Sequence, residues 1–107
     1  MAEGKDPQLS GLEQSLINFL QTKREIEEKI PGGARRLKSL TLNMKKDNTK
    51  VVFTVQIGMM EAAFNTNNGL KERGSCYGLE RYIRDWFERP TVSHELKLLV
   101  KEKFRDN

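Results

Sequence analysis

Two runs of strict alternation constrain what this chain can fold into. Leu40, Leu42 and Met44 alternate with Ser39, Thr41 and Asn43, and Val51, Phe53, Val55 and Ile57 alternate with Val52, Thr54 and Gln56. A period of two puts one set on a buried face of a strand and the other on an open face. Asp47-Asn48 lies between the runs and is a turn pair. The two runs therefore predict a β-hairpin. Pairing Met44 with Val51 also pairs Leu42 with Phe53 and Leu40 with Val55, so pattern and turn agree on one register. A lone hairpin is marginal in water and needs further strands or helical cover.

The flanks supply that cover, because their apolar spacing is helical. Before the hairpin, Asp6-Pro7 reads as an N-cap with proline at the first helical position, and Ser10-Gly-Leu-Glu13 offers a second, capping-box start. Leu9, Leu12, Leu16, Phe19 or Leu20, Ile26 and Ile30 then follow in steps of three and four, interrupted at Lys23. Pro31-Gly32-Gly33 ends this long helix. After the hairpin, a second helix is predicted from 76 or 79 to 89, with Leu79, Tyr82, Ile83, Trp86 and Phe87 on its apolar side and Pro90 as its stop. A third runs from Thr91 or Ser93 to about Phe104, burying Leu96, Leu99, Val100 and Phe104. Residues 59–64 fit either a third strand or a helical turn, and 65–75 read as a polar loop.

The predicted fold class is α+β: a long N-terminal helix, an antiparallel β-hairpin or three-stranded sheet, and two C-terminal helices, in the order α-β-β-(β)-α-α. Residues 1–6 read as a flexible tail and 7–107 as a single domain, as the length of 107 residues favours. Leu, Ile, Val and Phe make up 27 of those residues, above the range of disordered chains. The core they form is modest, because short chains bury a smaller share of their surface.

Charge is distributed unevenly. The formal net charge is +4. Between Arg35 and Lys50 six basic residues face one acid, Asp47, so this segment carries the whole excess. In the hairpin reading, Lys45, Lys46 and Lys50 gather at the tip, Arg35 and Arg36 sit at the base, and Lys38 alone falls within the paired strands. With Lys71 and Arg73 assisting from the polar loop, these eight residues form a candidate anion or nucleic-acid surface. The open face of the hairpin shows neither an aromatic residue nor an arginine.

A second candidate surface is apolar. Ile17 and Leu20 flank the stripe of the first helix, which looks broader than one hairpin can cover, and Tyr82 lies beside the stripe of the second. These three are the candidate protein-interface residues.

Catalytic chemistry finds little support. Cys76 and His94 are the only cysteine and histidine, and a nucleophilic pair would need them adjacent with a third group orienting the histidine. Together they supply two of the four ligands of a zinc site, so no metal and no cofactor is expected. Gly69 to Ser75 matches a phosphate loop in glycine spacing only, because the lysine that should follow Gly74 is absent. One cysteine, no long apolar run and a charged start favour an intracellular protein, cytoplasmic or nuclear. The function expected from these residues is that of a small non-enzymatic adaptor or assembly module binding another protein or a second copy of itself. The alternative is nucleic-acid binding through the basic hairpin, and an enzyme is the least supported reading.

Overall fold

The helical stripe of the N-terminal third breaks where a threonine side chain competes for a backbone acceptor. The computed structural model describes residues 7–47, 50–65 and 71–104, with the backbone alone for Pro7, Gln8, Arg24, Glu27, Lys46, Asp47, Lys50, residues 71–75 and Phe104. Helix α1 runs Pro7–Gln21 and α2 runs Arg24–Lys29. Between them the Thr22 hydroxyl donates to the Phe19 carbonyl at 2.6 Å. A continuing helix would offer that carbonyl to the Lys23 N–H, which instead reaches Leu20 at 3.0 Å. The single long helix expected from the stripe is thus two, broken at the Lys23 interruption. Pro7 opens α1 as expected, Ser10 and Glu13 lie inside it, and Asp6 and the flexible tail expected over 1–6 lie outside the described residues.

A short third helix, α3, spans Gly33–Leu37 and closes on Lys38, whose N–H donates to Ala34 at 3.0 Å. Gly32 and Gly33 enter it with φ of 92° and 57°, a region that glycine adopts at little cost. Leu37 is buried.

The sheet has four antiparallel strands in sequential order: β1 Thr41–Asp47, β2 Lys50–Ile57, β3 Met60–Asn65 and β4 Lys71–Ser75. Strands β1 and β2 pair Leu42 with Val55, Met44 with Phe53 and Asp47 with Lys50. Every partner is two residues away from the sequence-derived register. Asp47, expected in the turn, is paired with Lys50 instead, and Asn48 lies outside the described residues. A shift of two preserves which side chains face inward, so the burial pattern survived while the pairs changed. The ambiguous residues 59–64 form a turn and then β3. The polar loop expected over 65–75 gives way to β4 over its last five residues, with Ala62 opposite Gly74 and Asn65 opposite Lys71.

The β2–β3 connection is a two-residue turn at Gly58–Met59, since Ile57 pairs with Met60. Gly58 has φ 59° and Met59 does not share the positive region, the signature of a type II′ turn with glycine first.

Helices α4 (Glu80–Phe87) and α5 (Pro90–Phe104) complete the chain. Pro90 does not simply stop α4. It occupies the first position of α5, where its missing N–H costs nothing, and Ser93 closes the first turn onto Arg89 at 2.8 Å. All the helices pack on one side of the sheet. The core there gathers Leu42, Phe53, Val55, Ile57, Ala62 and Phe64 from the strands against Leu16, Leu20, Ile26, Ile83 and Trp86. Phe87 sits at its centre, 5.6 Å from Phe53, 5.0 Å from Phe64 and 5.1 Å from Trp86. Two polar contacts fasten α1 to this core. Trp86 Nε1 donates to Ser15 Oγ at 3.2 Å, and the Leu42 N–H donates to Glu13 Oε2 at 2.8 Å. The second covers an outward amide of β1, an edge strand. No described helix is long and apolar enough to cross a membrane.

Candidate binding face

The described helices occupy one side of the sheet, and no described element packs on its other face. None of the described side chains of that face belongs to the core. Register aligns this face in rows: Thr41, Gln56, Glu61 and Ser75; then Asn43, Thr54, Ala63 and Arg73; then Lys45, Val52, Asn65 and Lys71. The pair Asp47 and Lys50 extends it by one acidic and one cationic position. Its two middle strands present Val52, Thr54, Gln56, Ala63 and Asn65 together with one exposed acid, Glu61. Cationic positions occupy both edge strands, Lys45 on β1 and Lys71 and Arg73 on β4. Three strand spacings separate these edges, roughly 14 Å.

This arrangement changes the predicted basic surface in three ways. Lys71 and Arg73 belong to the sheet and share a face with Lys45, so an arginine does stand at a position of the open face. Lys38 is not in a strand; it caps α3 and is exposed. Arg35 and Arg36 lie in α3 rather than at the base of the hairpin. Arg36 packs over the Gly58 turn, where a Cβ on Gly58 would lie 2.7 Å from Arg36 Nη1 and 3.3 Å from the Tyr77 hydroxyl. Arg36 therefore lies at the Gly58 end of the sheet, and Lys45, Lys50 and Lys71 occupy positions toward the opposite end. Lys46 pairs with Val51 on the helix-side face, unlike its neighbour Lys45.

The predicted apolar interface is not available. Ile17 is 4% exposed and Leu20 is fully buried. The four-stranded sheet together with α4 covers the stripe that a lone hairpin would have left open. Tyr82 is half-buried and its hydroxyl donates to Glu25 Oε2 at 2.7 Å, tying α4 to α2. That bond holds the Tyr82 pKa above its usual value. Among the described residues, the exposed large apolar side chains are Met59, 92% exposed at the β2–β3 tip, and Leu98, 48% exposed on α5.

Cys76 follows β4 and is buried, whereas His94 is exposed on α5. Burial, assisted by the Glu80 carboxylate, pushes the thiol up to about 11. A thiol so poorly ionised is a weak nucleophile near neutrality. Its N–H donates to Glu80 Oε2 at 2.6 Å and its sulfur lies 3.8 Å from the Met60 carbonyl. The next residues form a turn closed by Leu79 N–H on the Cys76 carbonyl at 2.9 Å. Tyr77 and Gly78 both have positive φ there, 56° and 76°, so it is a type I′ turn with an aromatic residue where glycine or asparagine is usual. The backbone is held there by buried neighbours on both sides, Cys76 and Leu79. Lys71 to Ser75, the described part of the phosphate-loop resemblance, is strand. Among the described residues no group of three or more His, Cys, Asp or Glu side chains stands ready to hold a metal ion.

A shallow groove of about 550 Å³ runs along the outer side of α1 past Ser15, Phe19 and Arg89. Lys23 Nζ and Arg89 Cζ lie 5.4 and 5.0 Å from the centre of the Phe19 ring. These are cation–π contacts that hold the C-terminal end of α1 beside the α4–α5 junction. No family model matches the chain, and neither a curated protein nor a solved structure matches it.

Proposed function

We propose that this chain is a nucleic-acid-binding module, without catalytic function, whose contact surface is the uncovered face of the sheet. One observation carries the reading: cationic positions on both edge strands flank a centre that holds a single acid, Glu61, on a face that no described element covers. Phosphate oxygens are the groups such a face would attract, and lysine and arginine supply the charge-assisted bonds that position a phosphate backbone. The absence of catalysis is supported by the sealed, weakly acidic Cys76 thiol and by an exposed His94 in separate surroundings.

The protein-binding adaptor has lost Ile17 and Leu20 and keeps Met59 at the β2–β3 tip as its apolar contact. It is the second reading. Salt separates the two. Neutralising each phosphate on B-DNA contributes a slope of about 0.9 in log K against log salt, whereas an apolar contact hardly responds. The experiment is fluorescence anisotropy with labelled nucleic acid between roughly 50 and 200 mM salt. The expected result is binding that weakens steeply with salt and is lost in the triple substitution Lys45→Ala, Lys71→Ala, Arg73→Ala. The Arg35→Ala, Lys38→Ala double substitution, on the separate α3 patch, should leave most of the binding intact. No binding by the unaltered protein at low salt refutes the proposal.

A further inference from the structure

We infer that the helical side of this protein binds a second copy of the same chain, through the grooves between α1 and the start of α5. A two-fold axis there sets Arg89 of each copy on Glu95 of the other. This dimer is independent of the proposed nucleic-acid function, and it leaves the sheet face of each copy open.

Charge selects the occupant. Two depressions adjoin on this side of the molecule and share Gly11 and Ser15 of α1. One, of about 550 Å³, runs toward the C-terminal end of α1, and Arg89 is the one charged residue among its described lining. The other, of about 350 Å³, lies beside Leu12 and the first turns of α5, and Glu95 is its one charged residue. Both side chains are exposed, and neither has an ion-pair partner among the described residues. Arg89 stacks on the Phe19 ring at 5.0 Å, which holds its guanidinium at the rim. A surface with one cation at one end and one anion at the other is complementary to itself when turned through 180°. An isologous contact therefore forms both ion pairs at once. A single-signed surface would be repelled by its own copy.

Gly11 points the same way. It stands inside α1, where glycine costs backbone entropy that alanine would not. No described neighbour requires it. A Cβ on Gly11 would meet no atom within 4 Å, and its φ is not in the left-handed region. It is exposed and borders both depressions. A bare stretch of backbone at that place lets a second helix approach α1 closely.

Leu98 supplies the apolar part. Thr91, Glu95 and Leu98 follow one another at helical spacing, so the exposed Leu98 continues the α5 face that lines the smaller depression. A nucleic acid laid here would be drawn by Arg89, repelled by Glu95 and would leave Leu98 without an apolar partner. A second copy answers all three.

The test is sedimentation velocity on the whole chain over a range of roughly 5–500 µM, which spans weak and transient interfaces. The unaltered chain should pass from monomer to dimer as concentration rises. Gly11→Leu fills the groove from a position with open space around it and should weaken dimerisation at least about tenfold, with circular dichroism showing the helices intact. Arg89→Glu and Glu95→Arg each set like charges opposite one another, so each alone should stay monomeric where the unaltered chain is a dimer. Mixed in equal amounts, these two variants should form a one-to-one dimer, because one then carries acids at both positions and the other arginines at both. A contact inside a single chain cannot be restored by mixing. A chain that is monomeric throughout the range overturns the inference. So does a dimer that Gly11→Leu leaves unchanged, and so do charge variants that dimerise alone as the unaltered chain does or stay apart when mixed.

Discussion

Removing the Glu13 carboxylate should loosen the edge of the sheet by a calculable amount. Glu13 projects from α1 and accepts the Leu42 N–H at 2.8 Å, a contact between residues 29 apart in sequence. The Leu42 side chain is fully buried and its amide points away from β2, so few other protein acceptors can reach it. A hydrogen bond to a charged group contributes about 1.5–3 kcal/mol net, and an unsatisfied buried amide costs about 1–3 kcal/mol. The site is part-buried, so water recovers some of the loss. Glu13→Ala should therefore destabilise the fold by about 1–2 kcal/mol. At roughly 4–8 °C per kcal/mol for a domain near this size, Tm should fall by roughly 4–16 °C. Glu13→Gln keeps an acceptor oxygen without the charge and should lose about half as much. Urea denaturation followed by tryptophan fluorescence measures both, since Trp86 is buried against the same helix. A Glu13→Ala midpoint within about 0.5 kcal/mol of the unaltered protein would refute the reasoning, as would Glu13→Gln proving the worse of the two.

Two further outcomes follow from particular contacts. Gly58→Ala forces an L residue to φ 59° and sets its Cβ 2.7 Å from Arg36 Nη1. The expected cost is about 1–3 kcal/mol, and adding Arg36→Ala should return the steric part but not the backbone part; full recovery in the double variant would show that the turn itself is unstrained. Cys76 loses its proton near 9.0 by its ordinary value and near about 11 in the fold, so the fold favours the protonated thiol. Its contribution is complete below pH 9.0 and lost as pH rises through about 11. Stability should fall across this alkaline window and fall less in Cys76→Ala. Because the Tyr82 pKa is also raised, the comparison belongs in a Tyr82→Phe background. An equal alkaline loss with and without Cys76, measured by urea midpoint, would assign the effect elsewhere.

Much of the fold was legible because periodicity records which side of an element is buried. Leu42, Phe53 and Val55 alternate because one face of the sheet is wet. Leu9, Leu12 and Leu16 recur in threes and fours because one face of α1 is dry. Prolines and glycines marked most of the boundaries, and Pro90 closed one helix by opening the next. The eight-residue basic surface was legible only as a list. Its members share a charge, and charge has no period from which a face can be read.

The sequence by itself determined the α+β class, the inward set of side chains and the excess of positive charge between Arg35 and Lys50. Tertiary structure alone decided the rest. Strand β4 has no apolar alternation in Lys-Glu-Arg-Gly-Ser, because its pairing with β3 is made by backbone groups that every residue carries. That pairing sets Lys71 and Arg73 on the face of Lys45. The two-residue change of register was equally hidden, since it leaves every side chain on its own face. The burial of Ile17 and Leu20 depended on how many elements would arrive to cover them, a property of the assembled layers rather than of the helix that carries them.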